Sequence, residues 1–230
     1  MTDRWWTRPW ALALAAGFAV LIAAFVPPLL QALLAPPAAE LPAHGLPWQV
    51  ERTADGTTRV FGLALGRSTL ADAERDGALQ VAVVGLAGEA GALEGYLEPF
   101  NAGFVAGRLV LAADAPEAQR LAWRERAARR EGGGASLRHL LAGADRAEAL
   151  RATIVGLTFI PNAQLDADTL RQRFGEPAER IAGDHARLEH WLYPEQGLAI
   201  VLDAEGRDVL QYVAPADFDA KLRAPLLAER

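Results

Sequence analysis

The sequence predicts an α+β protein, with an N-terminal transmembrane helix followed by two repeated units, each a helix plus an antiparallel meander. The first observation is a C-terminal block in which an apolar run over 153–160 precedes a polar-capped segment and three β-like runs, at 190–194, 198–202 and 209–213. The second is an earlier segment that repeats the same order of elements. Strands and short helices in succession are typical of the α+β class.

Composition narrows the range of functions. The 230 residues carry a net charge of −6, which disfavours a nucleic-acid partner because such proteins usually present a basic surface. The chain has no cysteine, so it cannot form a disulfide, a thiolate metal site or a lipid-modified cysteine. The apolar fraction of 51% is enough for a core, although one N-terminal segment contributes part of it.

The segment 10–35 is almost uninterrupted apolar sequence. A helix rises about 1.5 Å per residue and needs about 20 residues to cross a bilayer, so this run is long enough to be a transmembrane anchor in contact with lipid. Arg4 and Arg8 precede it and place the tail, residues 1–9, in the cytoplasm. A cleaved signal peptide is the alternative, but its apolar core would be shorter.

The remaining chain divides at changes in composition. Residues 36–55 are rich in proline and predict an extended spacer that lifts the folded part from the membrane. The first α+β unit is expected over 56–114, a helical connection over 115–151 and the second α+β unit over 152–230. Within the connection, helices are predicted over 116–130 and 136–151, on either side of three glycines.

Three short matches, offset by about 94 to 99 residues, indicate that the two units arose by duplication. They pair 60–63 with 154–157, 96–99 with 191–194, and 107–111 with 206–210. If the units are homologous, Gly62 should superpose on Gly156 and Gly107 on Gly206. These four glycines are therefore predicted to be structural.

The helix ends carry specific signals. Thr69 and Asp72 have the spacing of a capping box, in which each side chain bonds the other residue's backbone amide. In the second unit, Asp166 or Asp168 should cap a helix that runs through 174. Gly175 should then take a left-handed conformation at the helix end, and Pro177 should prevent continuation.

The second unit also resembles a known family. Phe174-Gly175-Glu176-Pro177, the strand with Trp191 and Tyr193, and the hairpin at Gly206 before Val209 are similar to the SmpA/OmlA family of small bacterial envelope lipoproteins. That family pairs short helices with a three-stranded meander, an arrangement found duplicated in β-lactamase-inhibitor proteins. The resemblance implies envelope scaffolding or protein binding rather than catalysis. Unlike those lipoproteins, this chain has no cysteine to carry a lipid.

No pattern predicts a catalytic, cofactor or metal site. The segment 62–68 departs from a phosphate-binding loop in glycine spacing and in having Arg67 where lysine is required. Asp184, His185, Glu189 and His190 are the densest group of potential metal ligands. On a strand, however, His185 and His190 would point to opposite faces, so a polar loop is the preferred interpretation.

The expected activity is therefore binding of another envelope protein, by a non-enzymatic module in the periplasm. The alternatives are an inhibitor-like module that acts on a periplasmic hydrolase, and an enzyme of unknown type. Two interpretations of the apolar C-terminal strands remain open. Either the helices within 116–151 cover the second face of the sheet, or Trp191, Tyr193 and Tyr212 form an exposed protein-binding patch.

The topology is testable. Because Arg4 and Arg8 precede a long apolar run, a reporter enzyme fused after Arg230 should be active only if it functions in the periplasm. Paired fusions to a periplasm-dependent and a cytoplasm-dependent reporter measure this directly. Activity of the cytoplasm-dependent fusion would show that the protein has the opposite orientation. A mature N-terminus near residue 38 would show that the segment is cleaved and does not anchor the protein.

Overall fold

The described chain is dominated by strands. A computed structural model describes residues 45–228, except 87, 128, 133–135 and 184–186. The predicted tail, the anchor and the first part of the spacer (36–44) lie outside the described residues. Within the part described, no helix is both long and apolar enough to cross a membrane.

The strands, in chain order, are β1 (Glu51–Arg52), β2 (Thr58–Val60), β3 (Leu63–Ala64), β4 (Gln80–Leu86), β5 (Ala92–Ala102), β6 (Val105–Ala113), β7 (Arg129–Glu131), β8 (Ser136–Leu140), β9 (Ile154–Pro161), β10 (Glu179–Ala182), β11 (Leu188–Tyr193), β12 (Leu198–Asp203) and β13 (Val209–Val213). The α-helices are α1 (Leu70–Glu74), α2 (Glu117–Arg126), α3 (Gly143–Ala149), α4 (Ala167–Phe174) and α5 (Ala224–Ala228).

Ten of these strands form a single sheet, in the order β10-β11-β12-β13-β9-β6-β5-β4-β8-β7, and every pairing in it is antiparallel. A small sheet, β1-β2-β3, is separate. The predicted α+β class, built from two repeated helix-plus-meander units, is therefore wrong, and the transmembrane helix predicted with it lies outside the described residues. Strand β9 pairs with both β13 and β6, so the two predicted units share one continuous sheet.

The predicted duplication is wrong, because the two predicted units have opposite handedness. The meanders β4-β5-β6 and β11-β12-β13 lie on either side of β9, and β6 and β13 run parallel because both are antiparallel to β9. Helices α1 and α4 nevertheless bury side chains in the same core cluster. Two meanders that advance in opposite directions under a common helical layer are mirror-related. No rotation superposes them.

The predicted glycine pairs also fall on unrelated elements. Gly62 lies in the turn between β2 and β3 with φ 78°, whereas Gly156 lies within β9. Gly107 lies within β6, whereas Gly206 lies in the turn between β12 and β13. Gly107 is still structural, because a Cβ there would be 2.4 Å from the backbone oxygen of Ile160 on β9.

The residues predicted to begin helices α1 and α4 and to end α4 do so in the structure. The amide of Thr69 bonds the Asp72 carboxylate at 2.9 Å, and the Asp72 amide bonds the Thr69 hydroxyl at 3.4 Å, which completes the capping box. Asp166 caps α4 by accepting from the Thr169 amide at 2.8 Å. Gly175 ends α4 with φ 85° and ψ −175°, and its amide bonds the Arg171 carbonyl. The predicted positive φ is therefore confirmed, but the backbone at Gly175 is extended and not αL. Local hydrogen bonding determines these features, so sequence alone identifies them.

The connection over 115–151 differs from its prediction. Helix α2 ends at Arg126, and β7 and β8 then form a hairpin that extends the sheet. The second predicted helix (136–151) is a strand over its first part, because Ser136–Leu140 pairs with the free edge of β4. This pairing satisfies backbone groups along both strands, which outweighs the weak helical preference of the segment.

The large sheet has two unlike faces. Directly paired residues of an antiparallel ladder share a face. Leu109, Phe159 and Leu210 define the front face, and Val110, Thr158 and Gln211 define the back face. The main core lies on the front face, under α1 to α4 and the small sheet, which contribute Leu70, Trp123, Ala149, Leu170, Val60 and Phe61.

The back face is covered over part of its width. A short 3-10 helix (Pro215–Asp217), a π-helical turn (Asp219–Arg223) and α5 follow β13. Phe218, Leu222 and Leu226, spaced four residues apart, pack on Ile181, Leu192, Ala199 and Val213. The C-terminal segment therefore closes the back face over β10 to β13.

The end of the predicted spacer is docked on the core. Pro47 is buried, Trp48 and Val50 pack against the main core, and the buried Tyr212 hydroxyl donates to the Pro47 carbonyl at 2.9 Å. Over residues 45–55, therefore, the expectation of an extended spacer is wrong. Pro47 is buried, and Trp48 and Val50 are partly buried, because this stretch packs on the front layer.

The glycine that ends α4 provides a stability test. No heavy atom lies within 4 Å of a Cβ added at Gly175, so Gly175→Ala should cost only the backbone strain of its positive-φ, extended conformation, about 1–3 kcal/mol. Thermal unfolding should show a Tm lowered by about 2–4 °C for each kcal/mol of strain. Gly77→Ala is the matched control, because Gly77 has no positive φ and its added Cβ makes an ordinary 3.5 Å contact. Equal Tm values for the two variants would contradict the assignment.

Candidate binding surface

The predicted aromatic patch does not exist. Trp191, Tyr193 and Tyr212 have exposed fractions of 1%, 5% and 0%. All three lie on the front face, since Trp191 pairs through Ile200 to Leu210, and Tyr193 pairs through Leu198 to Tyr212. The front layer of helices covers them, so they belong to the core.

The two tyrosine hydroxyls are used within the fold, whereas the buried Trp191 indole N–H has no hydrogen-bond partner among the described residues. The Tyr193 hydroxyl donates to the Gly175 carbonyl at 3.1 Å, and burial, with the nearby Glu176 carboxylate, raises the pKa of Tyr193 to about 12. Burial also raises the pKa of Tyr212, so both phenols remain neutral donors. The guanidinium groups of Arg180 and Arg171 lie 4.7 and 5.6 Å from the Trp191 ring centroids.

The alternative prediction, that the helices within 116–151 cover the second face of the sheet, is also wrong. Helices α2 and α3, from the 115–151 connection, pack on the front face with the main core and not on the second face. The C-terminal segment provides the back-face cover instead, and it reaches only β10 to β13. The back of β4, β5, β6, β8 and the adjoining part of β9 is left uncovered by any described element.

We call this uncovered region the open face. Its centre consists of half-buried side chains, namely Val84, Tyr96, Val110, Leu140 and Ile160. Charged side chains surround them, namely Glu94, Glu98, Arg108, Arg129, Glu131 and Arg138. A moderately apolar centre with a charged rim is the usual anatomy of a protein-binding surface.

Four of the charged groups on the open face form ion pairs, Glu98 with Arg108 and Arg129 with Glu131, whereas Glu94 and Arg138 contact Tyr96 instead. Arg108 donates two hydrogen bonds to Glu98, at 2.6 and 3.0 Å, and this guanidinium lowers the pKa of the Glu98 carboxyl. The Tyr96 hydroxyl donates to Glu94, and burial together with that carboxylate raises the pKa of Tyr96. Arg138 stacks its guanidinium 3.9 Å above the Tyr96 ring centroid.

These side chains enclose a cleft. Its volume is about 360 Å³, and it is lined by Ala78, Gln80, Tyr96, Glu98, Arg108 and Arg138. Four strands supply the polar groups, so the rigid sheet fixes their relative positions. The cleft provides a stacked cation, a second guanidinium and a neutral phenol, and can bind a small anionic group.

The group considered as metal ligands is only partly described. Glu189 and His190 lie on β11, with His190 half-buried on the back face, whereas Asp184 and His185 lie outside the described residues. Among the residues that the structure describes, no three His, Asp or Glu side chains are grouped as a metal site would need.

Sequence analysis did not identify the open face. Glu94, Tyr96 and Glu98 alternate along β5, and this period-two pattern was a usable signal of one polar strand face. No sequence pattern indicated Arg138, because the segment that contains it, 136–151, was predicted to be a helix. Only the pairing of β8 with β4 places Arg138 on the same face as Tyr96.

Comparison with known proteins finds no matching family model, curated protein or solved structure.

Burial of Trp191 changes the expected effect of its removal. Trp191→Ala should lower the free energy of unfolding by about 3–5 kcal/mol, because it leaves a large cavity in the front-face core. Phe104→Ala is the aromatic control, since Phe104 is 79% exposed at the β5–β6 turn and should change stability by about 0.5 kcal/mol or less. Denaturant unfolding measures both, and equal effects would contradict the burial of Trp191.

Proposed function

We propose that the chain is a non-enzymatic, membrane-anchored protein of the bacterial envelope that binds another envelope protein through its open face. The apolar segment 10–35, preceded by Arg4 and Arg8, supports an anchor with a cytoplasmic N-terminus and a periplasmic domain. The resemblance of 174–177 and its neighbouring strands to SmpA/OmlA proteins is consistent with scaffolding. The proposal requires no cofactor and no nucleic acid.

One observation carries the binding role. The C-terminal segment covers the back of β10 to β13, whereas no element among the described residues covers the back of β4, β5, β6 and β8. Val110 and Ile160 of the bare part stay half-exposed, whereas Leu192 and Ala199 of the covered part are buried. A partner that covers Val110 and Ile160 would remove comparable apolar area from water. Burial of apolar surface stabilises a complex by about 25 cal/mol per Å².

The covered part also indicates the shape of the partner. There, Phe218, Leu222 and Leu226 form one apolar stripe, and Arg223 donates to Glu179 of β10 at 2.8 Å. A helix with an apolar stripe and flanking charge therefore fits this sheet. We infer that the occupant of the open face is an amphipathic helix of the partner protein, with apolar residues spaced three and four apart.

Site-specific photo-crosslinking in intact cells tests the proposal. A photoreactive residue at Val110 should capture one partner, because Val110 lies at the centre of the open face. The same residue at Ala71, exposed on α1, is the matched control and should capture nothing above background. Mass spectrometry of the crosslinked peptide should identify an envelope protein and a segment with amphipathic helical spacing.

The charged variant Val110→Asp provides the second arm. It should abolish capture from a crosslinker placed at Ala112, because an unpaired carboxylate would be desolvated beneath the partner. The variant should keep its thermal unfolding midpoint, since Val110 is half-exposed in the free protein. Equal capture at Val110 and Ala71, or capture unaffected by Val110→Asp, would contradict binding at the open face.

A further inference from the structure

Arg138 stands out among the arginines near the cleft because it lacks a carboxylate partner among the described residues. Arg108 pairs with Glu98 at 2.6 Å, and Arg129 pairs with Glu131 at 3.0 Å, although Glu131 lies directly across the β7–β8 ladder from Arg138. The Arg138 Nε is buried without a hydrogen-bond partner. Arg138 therefore lies at the wall of the cleft without an ion pair among the described residues, and Glu98, which is paired with Arg108, interacts with it electrostatically without direct contact.

The stacked position defines which part of the guanidinium is available. Arg138 uses its planar face against the Tyr96 ring, 3.9 Å from the centroid. The N–H groups lie in the guanidinium plane, so a stacked guanidinium can still donate two parallel hydrogen bonds from its edge. A carboxylate matches this edge, because its two oxygens accept such a pair at the correct separation.

The charged side chains around the cleft favour a ligand with a single negative charge. Glu94 and Glu98 lie on the same face of β5 as Tyr96, and Glu98 itself lines the cleft. A group with two negative charges, such as a phosphate monoester, would be repelled by these carboxylates. The lining holds two guanidinium groups, of Arg108 and Arg138, and one carboxylate, of Glu98, so a ligand with a single negative charge balances it. Gln80 and the neutral Tyr96 hydroxyl complete a polar lining for a small planar anion.

We propose that the cleft binds the side-chain carboxylate of a glutamate or aspartate on the partner helix. Arg138 donates two parallel hydrogen bonds to this carboxylate. The inference rests on the proposed protein-binding role of the open face. A helix that lies along the sheet presents side chains toward it, which favours a side-chain carboxylate over a chain terminus. The volume of about 360 Å³ accommodates one such side chain.

Ligand-observed NMR with the full-length protein in detergent micelles tests the ligand class. The probe is glutamate blocked at both ends, so that its side chain holds the only carboxylate. Blocked glutamine is the neutral isostere, N-acetylalanine offers only a terminal carboxylate, and methyl phosphate offers a phosphate. Blocked glutamate should bind best of the four. Equal binding of blocked glutamine, or tighter binding of N-acetylalanine or methyl phosphate, would overturn the proposal.

Variants of the same protein assign the ligand contact. Arg138→Gln should weaken binding of blocked glutamate by about tenfold or more, the expected loss of a charged, bidentate contact. Arg138→Lys should restore binding only partly, because an ammonium group lacks the planar fork. Arg59→Gln removes one equal charge from the small front sheet and should bind as the native protein does. An equal loss in Arg59→Gln and Arg138→Gln would overturn the assignment.

Partner crosslinking separates this inference from the proposed function. If Arg138→Gln captures the partner from Val110 as well as the native protein does, and blocked glutamate fails to bind, only the carboxylate site is refuted. If blocked glutamate binds through Arg138 but Val110 captures nothing, only the protein-binding role is refuted. Thermal unfolding of each variant checks that it folds, and Arg138→Lys keeps the test available if Arg138→Gln does not.

Discussion

The aromatic cluster around Phe61 is the contact on which the rest of the fold depends. Phe61 is 2% exposed, and its ring centroid lies 5.3 Å from that of Phe100, 5.5 Å from Phe159 and 5.7 Å from Tyr212. These partners belong to β5, β9 and β13, so one side chain of the small sheet binds both halves of the large sheet. Phe61 has φ 53°, a conformation that costs about 1–2 kcal/mol for a non-glycine residue, and burial of its ring compensates for this strain.

This cluster lies over the junction that makes the sheet continuous. Strand β9 pairs with β6 on one side and β13 on the other, and Gly107 lets β6 approach closely because no Cβ separates it from the Ile160 carbonyl. With both meanders attached to β9, one layer of helices and the small sheet packs on the front of both halves. Within the described part of the chain, the back face is covered by the C-terminal segment alone, which is too short to cover ten strands.

The unequal cover explains why the candidate surface lies where it does. Residues that alternate with core positions along β4, β5 and β6 must point away from the front layer, and the rigid ladder holds them in fixed rows. Tyr96 thus comes to lie beneath Arg138, although the two residues are 42 positions apart in the sequence. The apolar positions on both faces, which suggested an aromatic patch at Trp191, instead reflect two separate cores on β10 to β13.

The sequence by itself determined the features that depend on neighbouring residues. The capping box at Thr69, an aspartate cap at 166 or 168, the positive φ of Gly175 and the hairpin turn at Gly206 all follow from hydrogen bonds and backbone preferences within a few positions. Only the tertiary structure decided that Ser136–Leu140 is a strand and that the two meanders are mirror-related parts of one sheet. It also decided that Trp191 is buried while Tyr96 and Arg138 line an open cleft. The physical reason is that strand order and facial cover come from pairings between distant segments, whose free energy is not encoded in any local pattern.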